Sequence, residues 1–236
     1  MRSTYRYRDG LRDGLPIALG YLSVSFGFAV WAARLGIPAW ALVVISGTNL
    51  TSAGQVAGVT LLAAGGLLTE LALTQLVINA RYALMSISLT QKLESGFGTG
   101  KRLLASFFVT DEIFAVASTK RGVLGLAYIL GLGTLPWIGW TLGTALGAYA
   151  GELLPTALCA SLGIAIYGMF LAIFVPAARD DLGVFFAVAT AILCGCILRY
   201  VPWFSFLTDG FRIIISAVAG AVTAALLRPV REEETP

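Results

Sequence analysis

The chain has no histidine. The side chain that most often handles protons near neutral pH is therefore missing, and any proton coupling must run through carboxylates, tyrosines or water. Charge is scarce as well: 12% of residues are charged, against about 25% in soluble domains. With 58% hydrophobic residues and a mean hydropathy of +0.85, a soluble protein is excluded. The three cysteines, Cys159, Cys194 and Cys196, all lie in apolar runs. Without histidine or a second cysteine pair they read as small packing residues, so no metal and no other cofactor is expected. A net charge of +3 gives no support to a nucleic-acid role. There is no GxxxxGK[ST], HExxH or GxSxG, so no ATP drive on this chain and no catalytic residue is expected.

What the sequence does have is apolar residues in long blocks. Eight segments run over 14–33, 39–64, 67–90, 103–119, 123–150, 156–178, 183–201 and 203–227. Each is near the ~20 residues that a membrane-spanning helix needs. They are too long and continuous for barrel strands, which alternate over roughly ten residues. The expected fold is an all-α integral membrane protein, a polytopic bundle of seven or eight transmembrane helices forming one transport domain over 1–236. Its flanks are a basic segment, 1–13, with Arg2, Arg6, Arg8 and Arg12, and a charged tail, 228–236. The first segment is too long for a signal h-region and is expected to be retained.

With the N-terminus and tail in the cytoplasm, eight crossings place nine basic residues inside: Arg2, Arg6, Arg8, Arg12, Lys120, Arg121, Arg179, Arg228 and Arg231. Four fall outside: Arg34, Lys92, Lys101 and Arg102. The loop 91–102 is the dissenting one. Were the second segment to re-enter instead of crossing, that loop would become cytoplasmic and seven spans would remain. A weak internal repeat accompanies the count. Leu15-Pro16 and Gly27 recur as Leu135-Pro136 and Gly147, Arg81 and Arg199 lie 118 apart, and Thr110-Asp111 echoes Thr208-Asp209. Two parallel four-helix halves would explain it.

Three segments carry polar chemistry. The second contains Ser46-Gly47-Thr48-Asn49-Leu50-Thr51-Ser52-Ala53-Gly54-Gln55 between apolar flanks. Two glycines and a cluster of hydroxyls around Asn49 predict a broken helix near 46–55. Its exposed backbone groups could hold the carboxylate and ammonium of an amino acid; a continuous helix packed through small residues is the alternative. In the third segment Gln75, Asn79, Tyr82 and Ser86 fall on one helical face. Arg81 borders that stripe. Glu70 is eleven residues away, about 16 Å along a helix, so Arg81 needs an acid from another helix, or must snorkel to a headgroup. The fourth segment supplies Asp111 and Glu112. Asp111 is the first candidate partner, and either acid could carry a proton or belong to a fixed ion pair. Candidate substrate-binding residues are thus Ser46, Gly47, Asn49, Ser52, Gly54, Gln55, Gln75, Asn79 and Tyr82, with Phe26, Phe114 and Met85 against an apolar side chain. Arg81, Asp111 and Glu112 are the proton-coupling or ion-pair group. Asp209 and Arg212, at i and i+3, could pair on one face. Arg199, beside Tyr200 and Trp203, reads as interfacial.

The order of Gly14-Leu15-Pro16, Ser25-Phe26-Gly27, Ser52-Ala53-Gly54-Gln55, Asn79-Ala80-Arg81-Tyr82 and Thr110-Asp111-Glu112-Ile113-Phe114-Ala115 resembles the AzlC family of branched-chain amino acid permeases. The resemblance implies export of leucine, isoleucine and valine, with methionine as a further candidate, across a prokaryotic cytoplasmic (inner) membrane. It also implies proton-motive-force drive and a small AzlD-type membrane subunit as partner. Ser52 departs from the phenylalanine expected of the family there, in the proposed site. The competing function is a membrane scaffold or accessory subunit whose polar residues only lock helices. An intramembrane enzyme is disfavoured by the absence of histidine.

Overall fold

The computed structural model describes residues 5–150, 155, 171 and 175–227. Most of the apolar segment 156–178, with Cys159, and the tail 228–236 lie outside them. The regular structure among the described residues is helical, with an isolated parallel bridge between Leu93 and Leu124. In chain order the helices are α1 (Tyr7–Arg34), α2 (Ala39–Thr48), α3 (Ser52–Ala63), α4 (Leu68–Thr90), α5 (Thr99–Ser106), α6 (Asp111–Thr119) and α7 (Leu126–Ala150). After these come α8 (Leu182–Tyr200), a 3-10 turn at Pro202–Phe204 and α9 (Asp209–Leu227). Helices α1, α7, α8 and α9 are long and apolar enough to cross a membrane. The contacts divide into two compact units, each taking two stretches of chain: residues 5–60 with 79–150, and 61–78 with 175–227.

The first unit is organised on α1 and α7. Three close backbone approaches pair Ala18 with Gly139, Leu22 with Gly143 and Phe26 with Gly147. The constant offset of 121 residues means that the two helices run in the same direction. At Gly139 an added Cβ would lie 2.5 Å from the Ala18 carbonyl oxygen, so only glycine lets the backbones meet. The prolines of the sequence repeat sit in these two helices and do not break them. Pro136 has no N–H to offer the Leu132 carbonyl, and Gly14 lies directly against that oxygen. Residues 126–150 are therefore one continuous helix despite Gly131, Gly133 and Pro136.

The second segment breaks where the sequence predicts. Helix α2 ends at Thr48 and α3 starts at Ser52, with the Thr51 hydroxyl accepting the Gly54 N–H at 3.3 Å. The chain also reverses there. Ser46 Oγ lies 3.1 Å from Gln55 Oε1, whereas nine residues of straight helix would span about 13 Å. The fourth segment, 103–119, is broken too, between α5 and α6, although it reads as one apolar segment in the sequence. Thr110 caps α6 by accepting the Ile113 N–H. Lys92, just after α4, donates to the carbonyls of Ser118 and Lys120 at the far end of α6. The Leu124 N–H reaches Lys92 O at 2.7 Å. Lys120 in turn pairs with Asp13 near the start of α1 at 2.8 Å, and Tyr5 OH reaches Arg121 O at 3.0 Å. So α5 enters from the N-terminal end of α1 and α6 returns to it.

Two of the eight apolar segments are thus hairpins of half-helices, which corrects the eight-crossing count. Half-helices of 8 to 12 residues are only about 12–18 Å long, too short to cross ~30 Å of hydrocarbon. The α2–α3 hairpin enters from the C-terminal end of α1 and the α5–α6 hairpin from its N-terminal end. Loop 91–102, expected on the opposite side from residues 1–13, lies on the same side. Lys92, Lys101, Arg102, Lys120 and Arg121 therefore join Arg6, Arg8 and Arg12 at one end.

In the second unit α8 and α9 pack closely, with Ala187 O only 2.6 Å from where a Cβ on Gly220 would sit. Asp181 caps α8 by accepting the Gly183 and Val184 N–H groups. Gly65, at φ +69, ends α3 in the left-handed conformation that glycine alone adopts cheaply.

Two outcomes follow from this packing. Gly139→Leu should lower the melting point of detergent-purified protein by the equivalent of about 1–3 kcal/mol of overpacking. Gly20→Ala, with nothing within 4 Å of its Cβ position, should leave it unchanged or raised. In a background with Cys159, Cys194 and Cys196 replaced by alanine, Ser95→Cys and Arg8→Cys should react with an impermeant maleimide from the same face of the membrane, and Leu35→Cys from the other. Opposite faces for Ser95 and Arg8 would refute the α5–α6 hairpin.

Candidate functional site

The two hairpins end against each other beside the middle of α4 and α7. A cavity of about 270 Å³ lies at the tips, lined by Thr48, Asn49, Leu50 and Thr51 of one and Ser106, Phe107 and Val109 of the other, with Asn79 and Tyr82 of α4. Four half-helix ends converge here. Two are N-terminal ends with partial positive charge and two are C-terminal ends with partial negative charge. The lining is mixed: hydroxyls and amides together with Leu50, Phe107 and Val109.

Hydrogen bonds tie the tips to α4 and α7. Thr51 Oγ1 donates to Asn79 Oδ1 at 2.9 Å and accepts from Tyr82 OH at 3.3 Å. Arg81 donates to Tyr82 OH at 3.2 Å, and its guanidinium stands 4.8 Å from the Tyr82 ring centre. Its other nitrogen forms an ion pair with Asp111 in the first turn of α6. Glu112 faces elsewhere and accepts from Tyr21 OH, whose oxygen also lies 2.8 Å from Thr110 Oγ1. A smaller enclosed space of about 10 Å³, bounded by Tyr21, Ser52, Tyr82, Asp111, Glu112 and Trp140, is room for roughly one water.

On the α7 side Ser46 Oγ lies 2.8 Å from Thr144 Oγ1. Gln55 accepts from Trp140 Nε1 at 3.1 Å and donates to the Asn49 carbonyl. Trp137 Nε1 donates to the Gly47 carbonyl at 2.8 Å. These groups fasten the α2–α3 tip to α7 and do not line the larger cavity.

The structure therefore sorts the residues singled out in the sequence. Asn49, Asn79 and Tyr82 line the larger cavity; Ser52, Arg81, Asp111 and Glu112 lie at or beside the smaller one; Ser46, Gly47, Gly54 and Gln55 shape the tip. Gln75 sits one turn before Asn79 and is not in the lining. The apolar wall is Leu50, Phe107 and Val109, whereas Met85 and Phe114 pack on the hydrophobic core. Thr110 as a second helix cap was the legible signal for the missed α5–α6 break, since threonine followed by two acids is a common helix start.

A helical chain with membrane-length helices and two opposed half-helix hairpins defines a multi-pass membrane protein. The model of the family described as AzlC protein matches residues 16–154, and the chain belongs to the AzlC family. It is 29% identical over 229 residues to "Inner membrane protein YgaZ" of Escherichia coli (strain K12), covering 93% of this chain and 90% of that one. It is 31% identical over 176 residues to an "Uncharacterized membrane protein" of Archaeoglobus fulgidus, covering 72% and 75%. No solved structure matches the chain.

Loss of the ion pair has a measurable consequence. Asp111→Asn should cost about 1–2 kcal/mol of thermal stability, less than a fully buried pair because the side chains are 36% and 29% exposed. The double variant Arg81→Gln/Asp111→Asn should be less destabilised than the sum of the single ones. Strictly additive melting-point losses would show that the two groups are not coupled.

Proposed function

We propose that the chain is a secondary transporter exporting small apolar amino acids, with leucine, isoleucine, valine and methionine as substrates. It works in a prokaryotic inner membrane and is driven by the proton motive force. The observation that supports this is the cavity where two opposed half-helix hairpins meet. Broken helices that aim their ends at one point are the common way membrane proteins hold a zwitterion. In this reading the half-helix N-terminal ends and Asn79 take the carboxylate, the carbonyls at the end of α2 take the ammonium, and Leu50, Phe107 and Val109 take the apolar side chain. Asp111 or Glu112 carries the proton. Basic residues gathered at the N-terminal end of α1 favour that end as cytoplasmic. The family resemblance adds a small AzlD-type membrane subunit.

The experiment is efflux from cells preloaded with leucine-containing dipeptides, with the chain alone, with its partner, and with neither. Internal leucine should fall several-fold faster with the transporter, and Asn79→Ala, in protein with an unchanged melting point, should abolish the gain. Asp111→Asn should remove the dependence of efflux on the pH gradient. If no branched-chain amino acid or methionine leaves faster, the transporter reading fails. If Arg81→Ala then lowers only stability and partner assembly, the chain is an accessory subunit.

A further inference from the structure

The second unit holds a cavity of about 430 Å³ at the head of α9, within the ends of α3, α4 and α8. Glu70 lines it, although the residue as a whole is only 1% exposed. One carboxylate oxygen, Oε1, is saturated: it accepts from the Thr208 hydroxyl and from the Gly210 N–H at 2.8 Å. The other, Oε2, is buried with no partner. Arg212, which also lines the cavity, donates to Asp209 at 2.6 Å and leaves its buried Nε without an acceptor. Arg199 reaches the same Asp209 at 3.4 Å and is 62% exposed.

An unsatisfied buried acceptor and an unsatisfied buried donor on two side chains that line one cavity are uncommon in a native fold, because each costs about 1–3 kcal/mol when left bare. Here they are of opposite kind and are presented by groups of opposite charge. The charged groups lining the cavity balance: Glu70 and Asp209 against Arg199 and Arg212. Neither a simple cation nor a simple anion is favoured, but a molecule with one charge of each sign is.

We infer that this cavity binds a ligand carrying a primary ammonium beside an anionic group, with Glu70 receiving the ammonium and Arg212 and Arg199 the anion. Free amino acids and aminophospholipid headgroups both have this chemistry. The site is separate from the cavity at the hairpin tips and does not depend on the transport reading.

Titration calorimetry on the purified full chain in detergent tests it, using L-leucine, O-phosphoethanolamine and their N-trimethylated counterparts. Saturable binding of a primary ammonium compound is expected, weakened at least tenfold by Glu70→Gln, which keeps an oxygen for the Gly210 N–H. The trimethylated compounds, lacking N–H donors, should not bind at this site. Saturation by O-phosphoethanolamine but not leucine would assign the headgroup, and the reverse a free amino acid. Should Glu70→Gln fail to fold, Arg199→Gln, at the exposed rim, must produce a comparable loss. Binding unaffected by these variants, equal binding of the trimethylated compounds, or no saturable binding of either primary ammonium compound would overturn the proposal. Leucine binding at the hairpin tips would be distinguished by its loss in Asn79→Ala and its persistence in Glu70→Gln.

Discussion

A helix that stops halfway through hydrocarbon must find partners for its end groups, and this constraint orders the first unit. Unpaired backbone groups cannot face lipid. The ends at 48–52 and 106–111 are therefore gathered at one depth, where hydroxyls, amides and indoles can reach them. Thr51 and Thr110 cap the two outgoing half-helices from within the chain. Trp137 covers the Gly47 carbonyl and Gln55 the Asn49 carbonyl. What these residues leave unfilled is the cavity itself, so the site is the remainder of a backbone-satisfaction problem that the protein has otherwise solved.

That arrangement needs a rigid wall behind it, which α1 and α7 supply. Apolar surface gives little drive for helices to associate in lipid; close van der Waals packing does. Glycines at 131, 139, 143 and 147 bring α7 onto the α1 backbone over several turns. The same helix turns Trp137, Trp140 and Thr144 toward the α2–α3 tip. One helix thus carries two faces: small residues toward its parallel partner, and hydrogen-bonding residues toward the hairpin.

Much of this was legible in the sequence because it rests on local chemistry. Two glycines and a run of hydroxyls marked the break at 49–51, and the isolated Arg81 demanded an acid that Asp111 supplies. The residues of the weak sequence repeat also have definite places in the structure. Leu15-Pro16 and Leu135-Pro136 belong to the two helices that pack in parallel. Arg81 with Asp111 and Arg199 with Asp209 form ion pairs in the first and second units, each acid opening a helix after a threonine. What hydropathy could not give was direction. A hairpin of two half-helices and one crossing helix bury similar numbers of apolar residues, so segments 39–64 and 103–119 look like spans. Only contacts distant in sequence, such as Lys92 with Lys120 and Lys120 with Asp13, distinguish return from crossing.

The Arg81–Asp111 ion pair is not the sole support of either charge. Breaking a buried ion pair is expensive chiefly because a charge is left bare. Here each charge has a second partner on its own helix. Arg81 lies against the ring and hydroxyl of Tyr82, its neighbour on α4. Asp111 sits in the first turn of α6, where the helix dipole favours a carboxylate whatever α4 does. If α6 moved away from α4, neither group would be left wholly unsolvated, and the space between them is already polar.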